Sequence, residues 1–137
     1  MDFVGNHIIS VAQFDRVAAD RVFEVADSMQ PYALRKKITR VLQGAILSNM
    51  FFEPSTRTRI SFDLAVKQLG GKSVTLNPDE IHYGSGNESL HDTAKVLSQY
   101  ADIVMLRTHV HKKVLDFSIF QMVFSAFSMW WKSLSTV

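Results

Sequence analysis

Ala45-Ile46-Leu47-Ser48-Asn49-Met50-Phe51-Phe52-Glu53-Pro54-Ser55-Thr56-Arg57-Thr58-Arg59 is the stretch whose reading decides the fold. Residues 45–52 form an apolar run of strand length, and Pro54 breaks it. Residues 60–69 then take helical spacing, with Phe62, Ala65, Val66 and Leu69 on one face. Asp63 and Lys67 form an i,i+4 pair on the other side, acid first, and Gly70-Gly71 supplies the stop. Ser55 or Thr56 is a natural N-cap. A hydroxyl-rich turn therefore sits where a strand hands over to a helix.

Such a turn aims several unpaired backbone N–H groups at one spot, which suits an oxyanion. Arg57 and Arg59 in the first helical turn break a local rule. The positive end of the helix dipole disfavours each by a few tenths to about 1 kcal/mol. An anion at the helix start removes the conflict. Residues two apart on a helix point about 200° apart, so one arginine is expected to bind and the other to reach an acidic partner within the fold. The competing reading is a capped helix with surface arginines.

Upstream, Ser10-Val11-Ala12-Gln13 fits a capping box after a short extended segment at residues 7–10. Phe14, Ala18, Val22, Val25 and Met29 then recur at helical spacing up to Pro31. Residues 32–43 are a polar, basic connector. Downstream, residues 72–76 read as a second strand and residues 77–87 as a glycine-punctuated loop. Leu90, Ala94, Leu97 and Ala101 mark a third helix, and residues 102–106 a third strand ending at Arg107. This alternation predicts an α/β fold, a parallel sheet flanked by helices. Ligands of such sheets bind beyond the carboxyl ends of the strands. The turn at Ser55–Arg59 and Arg107 both lie there, and they can converge. A strand-terminal arginine reaching only into solvent is the alternative for Arg107.

A chain of 137 residues fits one domain, and 47% hydrophobic with 20% charged residues is globular rather than disordered. A net charge of +2 gives no case for nucleic acid. No cysteine means no disulfide or thiolate chemistry. Five scattered histidines without an H-x-x-x-H spacing give no metal site. The start Met1-Asp2-Phe3 has no signal-peptide pattern, so the expected location is cytoplasmic.

The nine residues from Phe51 to Arg59, followed by Ser61-Phe62, closely resemble the carbamoyl-phosphate signature of aspartate carbamoyltransferases. Ornithine carbamoyltransferases share the Ser-Thr-Arg-Thr-Arg core but usually lack Glu-Pro before it, so the aspartate enzymes are the nearer match. His7-Ile8-Ile9-Ser10 with Gln13-Phe14 also resembles the usual start of those enzymes. The resemblance implies the N-terminal, carbamoyl-phosphate half of a two-domain transferase of pyrimidine biosynthesis, working without a cofactor and as a homo-trimer. It implies that Ser55, Thr56 and Arg57 grip the phosphate, and that Thr58 and Arg107 share the phosphate and the developing oxyanion. Arg57, Thr58 and Arg107 are then the catalytic set.

The family's loop lysine, two residues before the glutamate matched by Glu88, is replaced by Gly86. Losing that ammonium removes a charge-assisted substrate contact, and His82 is a partial substitute at best. Family members continue past Arg107 with a His-Pro-x-Gln segment, which is absent here. The expected division is an incomplete carbamoyl-phosphate domain over residues 1–108 and a divergent apolar tail over 109–137. Residues 114–131 are short and interrupted for a membrane span, which makes a membrane-associated chain the least favoured of three readings of the tail. An interfacial or partner-docking helix, or translation out of frame after a truncation, are the other readings of that tail. A chain so built is expected to be inactive alone, the alternative being a non-catalytic paralogue that holds a phosphorylated ligand or joins an oligomer.

Overall fold

The computed structural model describes residues 6–8, 10–52, 54–77 and 89–107. The expected loop with His82 and Gly86, Glu53, and the apolar tail from residue 109 lie outside the described residues.

Ser10 and Gln13 form the capping box, with the Ser10 N–H donating to Gln13 Oε1 at 2.8 Å. It opens a 3-10 turn, Val11–Gln13, and not the first long helix, and no strand forms at residues 7, 8 and 10. Helix α1, Arg16–Ala33, starts instead at an Asp15 cap whose carboxylate accepts from the Ala18 N–H at 2.7 Å. That bond holds the Asp15 carboxyl below its usual range. Pro31 does not end the helix, which runs on to Ala33. Of the expected inner face, Ala18 is buried, Phe14, Val25 and Met29 are half-buried, and Val22 is exposed.

Strand β1, Ile46–Phe51, pairs in parallel with β2, Lys72–Leu76, on one side and β3, Ile103–Arg107, on the other. The strand order is β2-β1-β3. Helix α2, Thr56–Gln68, joins β1 to β2, and α3, Leu90–Tyr100, precedes β3. Alternation along β1 sends Leu47 to one face, against Leu42 and Val66 of α2, and Met50 to the other, against Ala94 of α3. Two buried clusters thus clamp the central strand from both sides, and the expected parallel α/β sheet is what forms.

The inner face of α2 departs from the spacing. Val66 is buried and Leu69 half-buried, but Phe62 is 40% exposed and Ala65 is exposed as well. Arg59 and Asp63, at i−7 and i−3 from Val66, share its side of the helix and are half-buried. Asp63 explains the rotation. It accepts from the hydroxyl of Ser73 on β2 and from Lys67 Nζ at 2.9 Å. Those donors, Ser73 first, hold its carboxyl below the usual range, and the charge of Arg59 adds to the effect. The helix is therefore tied to the sheet by a polar tether as well as by apolar contact.

The amino-terminal end of the sheet is closed by backbone. Leu42 N–H donates to Leu69 O, Lys72 N–H to Ala45 O, and Asp102 N–H to Ile46 O, all within 2.9–3.0 Å. The Ile46 N–H in turn donates to the Asp102 carboxylate at 2.8 Å. Gly70 ends α2 at φ +90°, and a Cβ there would lie 2.8 Å from Arg40 Cα. Only glycine takes that backbone at that distance without strain.

Candidate functional site

The carboxyl end of the sheet is built from side chains. Phe51 is the register partner of Arg107, and the Phe52 N–H donates to Arg107 O at 2.9 Å, so the ends of β1 and β3 are locked side by side. Arg107 is held where the turn after β1 enters α2. Its Nη1 donates to Ser55 Oγ at 2.7 Å and to Thr58 Oγ1 at 3.0 Å, spanning 52 and 49 residues of sequence. The convergence expected from topology is present, and Arg107 is half-buried in it. The solvent-only alternative for Arg107 is set aside.

Ser55 occupies the N-cap position of α2, yet its side chain makes no cap bond. This corrects the expectation that a hydroxyl here serves the helix. Arg107 has taken the serine oxygen, while the first N–H groups of a helix have no intrahelical acceptor. Both hydroxyl oxygens accept from a guanidinium, so both O–H groups remain able to donate. The corner thus gathers hydroxyl donors, free helical N–H groups and a cation, which is the composition of an oxyanion receptor.

The two arginines of α2 divide. Arg57 is exposed and makes no hydrogen bond or ion pair with a described residue, and Thr56 beside it is exposed too. Arg59 is half-buried and its charge acts on Asp63 one turn on, but the cation that pairs with Asp63 is Lys67, so the acidic partner expected for one arginine is not found among the described residues. Among the described residues, no group of three or more His, Asp or Glu could hold a metal ion, and no helix is long and apolar enough to cross a membrane.

Reading the sequence alone missed Asn49. It is fully buried on β1, and neither amide atom has a hydrogen-bond partner. An asparagine inside an apolar strand was the available signal, since the residue is depleted there.

A family model described as the aspartate/ornithine carbamoyltransferase carbamoyl-P binding domain matches residues 6–127. The aspartate carbamoyltransferase catalytic subunit of Saccharophagus degradans is 52% identical over 118 residues, 86% of this chain and 35% of that protein. A solved structure of a putative aspartate carbamoyltransferase from Trypanosoma cruzi superposes with a TM-score of 0.80 at 31% identity, covering 87% of this chain and 42% of that one. The ornithine carbamoyltransferase from Pyrococcus furiosus follows at 0.78 and 32%, covering 87% and 38%. The chain spans about a third of the length of the curated relative (35%). With its three-stranded parallel sheet and the matched residues taken together, the chain belongs to the aspartate/ornithine carbamoyltransferase family, in the region of its carbamoyl-phosphate-binding domain.

Proposed function

We propose that this chain forms the carbamoyl-phosphate half of an aspartate carbamoyltransferase site. The observation that carries the reading is the Arg107 guanidinium bonded at once to Ser55 and Thr58. Transfer of the carbamoyl group begins when an amine attacks the carbonyl carbon. The C–N bond forms as the carbonyl π pair moves onto oxygen, giving a tetrahedral oxyanion. Collapse then breaks the C–O bond to phosphate, and the nitrogen loses its proton. Stabilisation is needed on the phosphate and on that oxygen, and correct placement of the amine supplies much of the rest.

The corner matches the first two needs. Ser55, Thr56 and the amino-terminal N–H groups of α2 receive the phosphate, and Arg57 is an unengaged cation in the same turn. Thr58 and Arg107 serve the phosphate and the oxyanion together. Arg57, Thr58 and Arg107 are the catalytic residues of this reading. The described residues supply nothing for aspartate, so the chain alone is expected to bind carbamoyl phosphate without appreciable transfer. On the family resemblance we further assign a cytoplasmic role in pyrimidine biosynthesis and a homo-trimeric assembly.

Calorimetry with carbamoyl phosphate tests the reading. Heat of binding is expected from the wild type, with a loss of tenfold or more in Arg57→Ala. Absence of heat from the wild type would overturn the assignment. Carbamoyl-aspartate formation by the purified chain would overturn the claim that only half of a site is present.

A further inference from the structure

Asn49 stands in the middle of the central strand at 0% exposure, with Oδ1 and Nδ2 both unpartnered. A bare buried amide is costly, and the large majority of such groups are paired. Side chains alternate along a strand, so Asn49 shares a face with Leu47 and Phe51. Leu47 packs against Val66 of α2. Phe51 is paired with Arg107, whose guanidinium reaches Thr58 at the other end of the same helix. Asn49, halfway between, falls beneath the middle of α2, where Asp63 is tethered to Ser73. Its register partner on β2 is Thr75, a half-buried hydroxyl on the same face.

A polar strip of Asn49, Thr75, Ser73 and Asp63 therefore runs between sheet and helix, under the turn that carries the candidate site. A side chain sealed at 0% exposure admits no large ligand, whereas a water needs only two to four polar partners. We propose that Asn49 is a positioning residue: its carboxamide holds an internal water shared with Thr75 and the Asp63–Ser73 tether, and so sets the height of α2 above the sheet. Through α2 it sets where Ser55 and Thr58 stand relative to Arg107. The positioning role rests on the anion reading of that corner, while the water itself does not.

The experiment is NMR on the full 137-residue chain, first without ligand, in wild type, Asp63→Asn and Asn49→Leu. The Asn49 side-chain amide is expected to give a cross-peak to a slowly exchanging water and to shift in Asp63→Asn. In Asn49→Leu the backbone amides of Thr56, Arg57 and Thr58 are expected to shift and carbamoyl phosphate affinity to fall about tenfold, with Asn49→Thr recovering most of it. A dry amide unmoved by Asp63→Asn overturns the water site, and unchanged affinity in Asn49→Leu overturns the positioning role. Should Asn49→Leu not fold, wild type against Asp63→Asn decides the first point, and wild type against Asn49→Ala the second, a several-fold loss of affinity there supporting the positioning role and unchanged affinity overturning it. If the wild type binds no carbamoyl phosphate, the anion reading and the positioning role fall together, and the water site stands or falls on its cross-peak.

Discussion

The two ends of the sheet are made of different material. At the amino-terminal end, main-chain bonds join Leu42 to Leu69, Ala45 to Lys72 and Ile46 to Asp102, the Asp102 carboxylate being the one side-chain acceptor, and Gly70 lets α2 turn tightly against Arg40. At the carboxyl-terminal end, one main-chain bond from Phe52 to Arg107 is joined by side-chain bonds from Arg107 to Ser55 and Thr58. Main-chain bonds are indifferent to side-chain identity, so the first end carries stability. Side-chain bonds to a guanidinium can be exchanged for bonds to an anion, so the second end carries chemistry. The fold separates the two tasks along the length of β1.

Substitutions at each end should therefore fail differently. The largest effect is expected at the closed end. Gly70→Ala forces a side chain into left-handed backbone and against Arg40 Cα at 2.8 Å, which should cost about 2–4 kcal/mol. Chemical denaturation reads it, and affinity for carbamoyl phosphate should hold wherever the variant is folded. At the open end Arg107→Ala is expected to reverse the pattern. Binding should fall roughly a hundredfold, about 3 kcal/mol, with a smaller loss of stability, as titration and denaturation together would show.

A serine pair sharpens the contrast. Ser89 caps α3 by accepting from the Asp92 N–H at 3.1 Å, whereas Ser55 makes no cap bond. Ser89→Ala should lower stability by about 1 kcal/mol and leave binding alone. Ser55→Ala should change stability by less than half of that, roughly 0.5 kcal/mol at most, and weaken binding several-fold. Equal stability losses in the two variants would mean that Ser55 is an ordinary cap.

The smallest effect is a dependence on acid. Ser73 and Lys67 keep the Asp63 carboxyl below its usual range. Its contribution is therefore complete above the unfolded value, near pH 4, and is lost as pH falls through the lower folded value. Asp63→Asn should flatten that acid limb of stability slightly, without altering the neutral plateau beyond the loss of the tether itself. Denaturation midpoints between about pH 2 and 6 would show whether the slope changes.

Most of the frame was legible because local signals agreed with the tertiary outcome. Residues 72–76 read as a strand and are one, and the strand–turn–helix around Pro54 and the terminal Arg107 fell where the pattern put them. Misreadings arose where a tertiary contact outweighed the local signal. The Ser73 bond to Asp63 turned α2 so that Phe62 and Ala65 came to the surface. Arg107 drew Ser55 away from its cap. Pro31 was accommodated within α1, where a proline signals an end. Asn49 was passed over within an apolar run, although an asparagine in a strand flanked by helices on both faces was itself the signal.

The central claim is that the corner of Ser55, Thr58 and Arg107 receives a small dianion. The most direct measurement is the unfolding midpoint of wild type and Arg107→Ala, each with and without saturating carbamoyl phosphate, since a ligand of the folded state raises that midpoint. The expected result, at a concentration that saturates the wild type, is a rise of several degrees in the wild type and a far smaller one in the variant. Equal rises in both, or no rise in the wild type, would contradict the claim.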